Sequence, residues 1–258
     1  MRVALIQVEC NDTESVGNRI DRVLGETDRV IGEADFVVLP ELWNTGAFDL
    51  ASARHHAQPL DGDLVSRMAG IAQRHSTWLH GGSFTERADD GRFFNTSVLF
   101  GPDGSLEAVY RKIHVFGYGG EADLMSAGPE LVVANTPLGA TGLATCYDLR
   151  FPEQFRELTR RGASAFLITS GWPSARIQAW DVLVRARAIE DQAWMIACNQ
   201  VGLQRGVHLG GHSAVIDPIG DVVSRASTEE AVLSATVAPH AVAQWRVEFP
   251  ALGDIVPF

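Results

Sequence analysis

The apolar runs of this chain are short, and their length is the tightest constraint on its fold. Val3–Val8, Phe36–Leu39, Gly142–Thr145, Ala163–Thr169 and Ala193–Cys198 are of strand length and too short for buried helices, so they read as strands covered on both faces. Between them apolar residues recur at helical spacing. Val16, Ile20, Val23, Leu24, Val30 and Ile31 follow the first run, Val65 to Ile71 continue as a helix, and the stretches 152–162 and 178–192 are amphipathic. Strand, helix and strand in repeated alternation specify an α/β fold built on sheets. Thr77–Phe84 reads as a strand ending at Gly81 and Gly82. Thr96–Phe100, the turn at 101–104 and Leu106–Tyr110 read as a hairpin, as do Ser213–Ile216 and Asp221–Val223, so the sheets are expected to be mixed. Ala231–Val237 is the last strand. The tail from Trp245 to Phe258 carries apolar residues suited to covering a partner subunit. No linker, repeat or low-complexity segment interrupts the 258 residues, and a single domain over 1–258 is expected.

The formal charge of −11 argues against a nucleic acid or an anionic membrane surface as partner, because neither would be attracted at long range. The first apolar run is too short to be a signal-peptide core or to span a bilayer. Cys10, Cys146 and Cys198 are odd in number and form no CxxC pair, which fits a reducing cytoplasm and neither a disulfide framework nor a thiolate zinc site. His55 and His56 are adjacent and point apart, while His208 and His212 enclose two glycines that oppose a helix. No metal site is expected from them.

Three strand ends carry chemistry. In the stretch 142–153, GLATCYDLRFPE, a buried strand gives way at Cys146 to a turn and then to Pro152, which suits the first position of a helix. Glu41 follows the strand ended by Pro40, and Lys112 leaves the exit strand of the hairpin. The carboxyl edge of such a sheet is where ligands bind. Each residue also has an ordinary reading: a small buried hydrophobe for Cys146, a solvated carboxylate for Glu41 and an aggregation-blocking edge lysine for Lys112. Together they suffice for acyl transfer. A buried carboxylate can take the thiol proton, and an ammonium can lower the thiol pKa and hold the oxyanion formed when sulfur attacks a carbonyl.

These residues, in their order and with their flanks LPELWNTG, YRKIHVFG and TCYDLRFPE, resemble the carbon–nitrogen hydrolase (nitrilase) superfamily. Trp172-Pro173, RARAIEDQ from Arg185, CNQVG from Cys198 and GHSAVIDPIG from Gly211 extend the resemblance over essentially the whole chain. It implies a four-layer αββα sandwich, a homodimer paired through helices, and a catalytic triad of Glu41, Lys112 and Cys146. It further implies that Glu121 positions the amide and that the N–H of Tyr147 is an oxyanion donor. The flanks look closest to the amidase and ω-amidase branch, acting without cofactor on a small amide through a cysteine acyl-thioester. Trp43, Phe48, Phe116, Tyr118, Tyr147 and Trp172 flank the triad in sequence as candidate pocket walls. Arg150 or Arg176 could receive a substrate carboxylate. An N-carbamoyl amide hydrolase would use the same triad, and a binding or redox-sensing relative would keep the fold with Cys146 as an oxidisable thiol.

Overall fold

In the computed structural model, which describes residues 1–256, the runs pair into two six-stranded mixed sheets. In chain order the elements are β1 (Arg2–Gln7), α1 (Val16–Val30), β2 (Phe36–Val38), α2 (Leu50–His55), α3 (Asp63–His75), β3 (Trp78–Arg87), β4 (Phe93–Phe100), β5 (Leu106–Arg111), β6 (Val133–Thr136) and β7 (Gly139–Thr145). There follow α4 (Pro152–Arg160), β8 (Ala165–Thr169), α5 (Ile177–Asp191), β9 (Trp194–Cys198), β10 (Val201–Gln204), β11 (Val207–Gly210), β12 (Ala214–Ile216), β13 (Val222–Arg225), β14 (Ala231–Thr236) and α6 (Ala241–Glu248). The first sheet runs β14-β1-β2-β3-β4-β5 and the second β13-β12-β9-β8-β7-β6. Each has a parallel centre, β1-β2-β3 and β7-β8-β9, with antiparallel strands at its margins.

Strand alternation explains the layering. In β1, Val3 and Leu5 face β7 and β8 through Leu143 and Leu167, with Phe36, Val38, Ile196 and Val215 in the same buried cluster. Their neighbours Ala4 and Ile6 point the other way, onto α1 and α3 through Val23, Leu24, Leu64 and Met68. In the second sheet Ala144, Phe166 and Ile168 turn outward onto Phe155 and Leu158 of α4 and Trp180 and Val184 of α5. The period of two in each strand thus supplies both faces of each sheet, and the result is the αββα sandwich.

Several elements differ from the sequence reading. Gly81 and Gly82 do not end β3; they sit in a bulge between His80 and Ser83, after which the strand continues to Arg87. The reason is local. Gly82 has φ +65°, and a Cβ there would lie 2.1 Å from the carbonyl oxygen of Pro40, so the bulge exists to let the Glu41 turn approach. Helix α4 begins at Pro152, but a tight turn of 3-10 type over Cys146–Arg150 separates it from β7. The thiol therefore opens that turn rather than the helix. Short or weakly patterned elements, α2, β6, the β10–β11 hairpin and α6, carry no signal strong enough to read. On α5, Arg187 and Glu190 form a local ion pair, whereas Asp191 pairs with Arg156 of α4 and Arg185 donates to the Gly220 carbonyl. In the tail, Val247, Phe249, Ile255 and Val256 are exposed; Pro257 and Phe258 lie outside the described residues. No described helix is long and apolar enough to cross a membrane.

Candidate active site

Glu41, Lys112 and Cys146 come together where the two sheets end side by side. Glu41 reaches the site on a turn with Leu42 at φ +43°. That turn is pinned to the β3 bulge by the Leu42 N–H on Ser83 Oγ at 3.0 Å and by the Trp43 indole on the Gly81 carbonyl at 2.9 Å. Lys112 leaves β5, the edge strand, yet is only 2% exposed, which disposes of the edge-lysine reading. Its ammonium donates to Glu41 Oε1 at 2.8 Å and to Glu121 Oε2 at 2.8 Å. Glu121, also buried, accepts the Phe116 N–H at 2.7 Å.

Asn95, which the sequence reading missed, closes this cluster. Its Nδ2 donates to Glu41 Oε1 and to Glu121 Oε1, both at 2.8 Å, while its carbonyl receives the Lys112 N–H at 2.9 Å. The Gly171 N–H donates to Glu41 Oε2 at 2.8 Å. Two carboxylates thus share one ammonium, an amide and two backbone donors in a water-poor site. Burial alone would discharge Lys112, but the adjacent Glu121 and Glu41 hold its pKa well above the ordinary lysine range. The one sequence signal for Asn95 is an amide set among the apolar side chains of β4.

Cys146 is partly exposed and has φ +47°. A non-glycine residue in this region carries strain of order 1–3 kcal/mol and persists only where its surroundings hold it. The strain has a use, since it turns the side chain out of the sheet toward Glu41. Burial and the Glu41 charge push the thiol well above its usual pKa, with Lys112 and the Ser170 hydroxyl opposing them. Lys112 acts in the expected direction, but burial and the Glu41 charge outweigh it and the net shift is upward. The Glu41 carboxylate beside the thiol is the nearby group able to accept its proton. Ser170 was not anticipated either; the parallel register Thr145 to Thr169 brings it level with Cys146. Tyr147 follows Cys146 at the opening of the turn, where a backbone N–H has no carbonyl one turn back to bond.

A small cavity opens onto Cys146, lined by Phe48, Phe116, Tyr147, Arg150, Trp172 and Arg176 among others. Trp43 is not a wall; it is fully buried against the outer face of the first sheet. Tyr118 lies further out, 91% exposed, in an adjoining groove with Gly206 and His208. Arg150 stacks over the Trp172 ring at 4.8 Å and Arg176 over Phe116 at 5.6 Å. Neither guanidinium has a carboxylate partner among the described residues, unlike Arg156 or Arg187 of the same region.

A family model described as carbon-nitrogen hydrolase matches residues 2–247. The chain is 43% identical to a 2-oxoglutaramate amidase of Paenarthrobacter nicotinovorans, over 98% of this chain and 88% of the relative. It is 30% identical to the human omega-amidase NIT2, over 96% of this chain and 92% of that one. Among solved structures it superposes with a TM-score of 0.91 at 32% identity on XC1258 of Xanthomonas campestris, a CN-hydrolase superfamily protein with an arsenic adduct in its active site. That match covers 100% of this chain and 98% of the other.

Proposed function

This chain belongs to the carbon–nitrogen hydrolase family, and from that premise we propose that it is an amidase that releases ammonia from a small ω-amide carrying a carboxylate at its far end. The amide of an α-keto dicarboxylic acid, as in 2-oxoglutaramate, is the substrate class that fits best. The observation carrying this reading is the pairing, in one cavity, of the Cys146 thiol with the guanidiniums of Arg150 and Arg176, which have no carboxylate partner among the described residues. A carboxylate is the group such forks recognise, and aromatic rings beneath them keep their planes fixed. The name of the relative at 43% identity supports the same class.

The chemistry proceeds in two halves. Cys146 Sγ attacks the amide carbonyl carbon while its proton passes to Glu41. The oxyanion is held by the Lys112 ammonium and the Tyr147 N–H, which is worth most in a site where water is scarce. Collapse breaks the C–N bond, protonated Glu41 returns its proton to the leaving nitrogen as ammonia departs, and an acyl-thioester remains. Glu41 then deprotonates a water that attacks the thioester. Carbon–sulfur cleavage frees the carboxylic acid, and Sγ recovers the proton, so the cycle balances without a cofactor. Glu121 and Asn95 keep Lys112 and Glu41 in register through both halves. The proposal includes a second copy of the chain as the cover for exposed Val247 and Phe249.

Ammonia release from a panel of amides tests the substrate class. Amides ending in a carboxylate are expected to be preferred over butyramide-sized neutral ones. Arg150→Gln or Arg176→Gln should raise KM by roughly 10- to 100-fold for the carboxylate-bearing amide alone, the size of a lost charged hydrogen bond. Equal rates on neutral and anionic amides, unchanged by both substitutions, would remove the carboxylate from the proposal.

A further inference from the structure

Asp148 is a fully buried acid that the proposed mechanism leaves unused. It lies two residues beyond Cys146, in the turn that opens from β7, and no lysine or arginine neutralises it; its one basic neighbour is His114. Its oxygens are nevertheless filled. Oδ1 accepts the His114 N–H at 2.9 Å and stands 2.9 Å from His114 Nδ1. Oδ2 accepts the Tyr110 hydroxyl at 2.7 Å and the Thr145 N–H at 2.8 Å. The Tyr110 oxygen in turn accepts the Ile113 N–H at 3.2 Å and Gln154 Nε2 at 3.0 Å.

The origin of these donors matters more than their number. Tyr110, Ile113 and His114 bracket Lys112 on the segment leaving the first sheet, whereas Thr145 immediately precedes Cys146 in the second. A single carboxylate therefore gathers the residues on both sides of the ammonium and the residue in front of the thiol. It also grips the chain before Cys146 while belonging to the turn after it, so the left-handed backbone of Cys146 is restrained from both directions.

We propose that Asp148 is a positioning residue that sets the separation of Lys112 from Cys146 and holds the nucleophile in its strained conformation. The inference rests on the reading of Cys146 as nucleophile and Lys112 as oxyanion donor. It depends on the carboxylate form. Three N–H and O–H donors converge on the two oxygens, two of them on Oδ2, with the His114 ring nitrogen beside Oδ1, and an amide of the same size would turn an NH₂ group toward at least one of the donors. Misplacement of the order of 1 Å at reacting atoms costs on the order of 100-fold in rate.

The test is Asp148→Asn, with kcat expressed per folded molecule, the folded fraction being read from the buried Cys10 and Cys198 thiols that iodoacetamide leaves unlabelled. A fall in kcat of roughly 10- to 100-fold with KM within about twofold is expected. His114→Ala should add little in the Asp148→Asn background, because both changes loosen the same tie. Tyr110→Phe removes one donor and should cost a few-fold in kcat; it decides the matter if Asp148→Asn does not fold. Unchanged kcat per folded molecule in the variants, or a loss confined to KM, overturns the proposal. Turnover surviving in Cys146→Ala would instead overturn the nucleophile reading beneath it.

Discussion

Two cysteines close parallel strands of one sheet, with a single strand between them, and their environments could hardly be used more differently. Cys198 stays in β9, fully buried between the sheets, its thiol within 3.4 Å of the Ile6 carbonyl and 3.5 Å of the Val38 carbonyl opposite. Cys146 leaves β7 at φ +47°, meets a cavity and faces a carboxylate. Acidity does not separate them. Burial pushes both thiols well above the usual range, and pushes Cys10 up to about 12. What separates them is access and a carboxylate within reach, so geometry rather than acidity marks Cys146 as the candidate nucleophile.

The largest effect that could break this comparison is loss of turnover. Cys146→Ala should fall to the background rate in a folded protein, while Cys198→Ala should retain wild-type kcat; ammonia assays on both variants decide it, and the opposite pattern would move the active site to β9. Next, Lys112→Ala should lose at least roughly 10²- to 10³-fold in kcat, the worth of one oxyanion donor. The same change strands Glu41 and Glu121 together without their cation, at a stability cost of about 3–5 kcal/mol. Rates must therefore be read on the folded fraction, and a mild loss there would return Lys112 to a structural role.

Selective chemistry sharpens the contrast. Limited iodoacetamide should alkylate Cys146 alone, inactivation should track that one modification, and a saturating amide should slow both. Cys10 and Cys198 should react only once denaturant opens the core, and peptide mapping that found either labelled in step with lost activity would contradict the assignment.

The smallest expected effect concerns stability in alkali. The folded pKa of Cys198 is raised from an ordinary value of 9.0, so its contribution is fully present below pH 9. Above that, the unfolded chain ionises a thiol that the fold keeps neutral, and stability falls as pH rises. Cys198→Ala should lessen that slope by about 1 kcal/mol per pH unit. Denaturant titrations between pH 8 and pH 10.5 that gave parallel slopes would show that the thiol ionises equally well in both states.

Much of this site was legible before any fold. Glu41, Lys112 and Cys146 stand at strand ends, and strand ends are written in local patterns: Pro40 after Phe36–Val38, the hairpin returning into Arg111, and the turn residues ahead of Pro152. Asn95 was not legible, because its importance lies in two carboxylates far from it in sequence that the fold delivers to its amide. Asp148 stood inside the quoted motif and still gave no sign of its task, since its donors come from His114 and Tyr110, 34 and 38 positions upstream, as well as from its near neighbour Thr145. The bulge at Gly81 and Gly82 was read as a strand end for the same reason. What fixes it is the Pro40 carbonyl pressing on it from another loop.

The sequence by itself determined the α/β alternation, the two-faced burial of the strands and the three residue types able to perform acyl transfer. These follow from spacing and turn chemistry within a few residues, where sequence and space coincide. Only the tertiary structure decided which cysteine meets the cavity, that Lys112 is buried between two carboxylates, and that Arg150 and Arg176 line that cavity with no carboxylate partner among the described residues. Such facts arise where strand ends from two sheets converge. Charge, burial and hydrogen-bond partners there come from residues tens of positions apart, and no local pattern records which of them will meet.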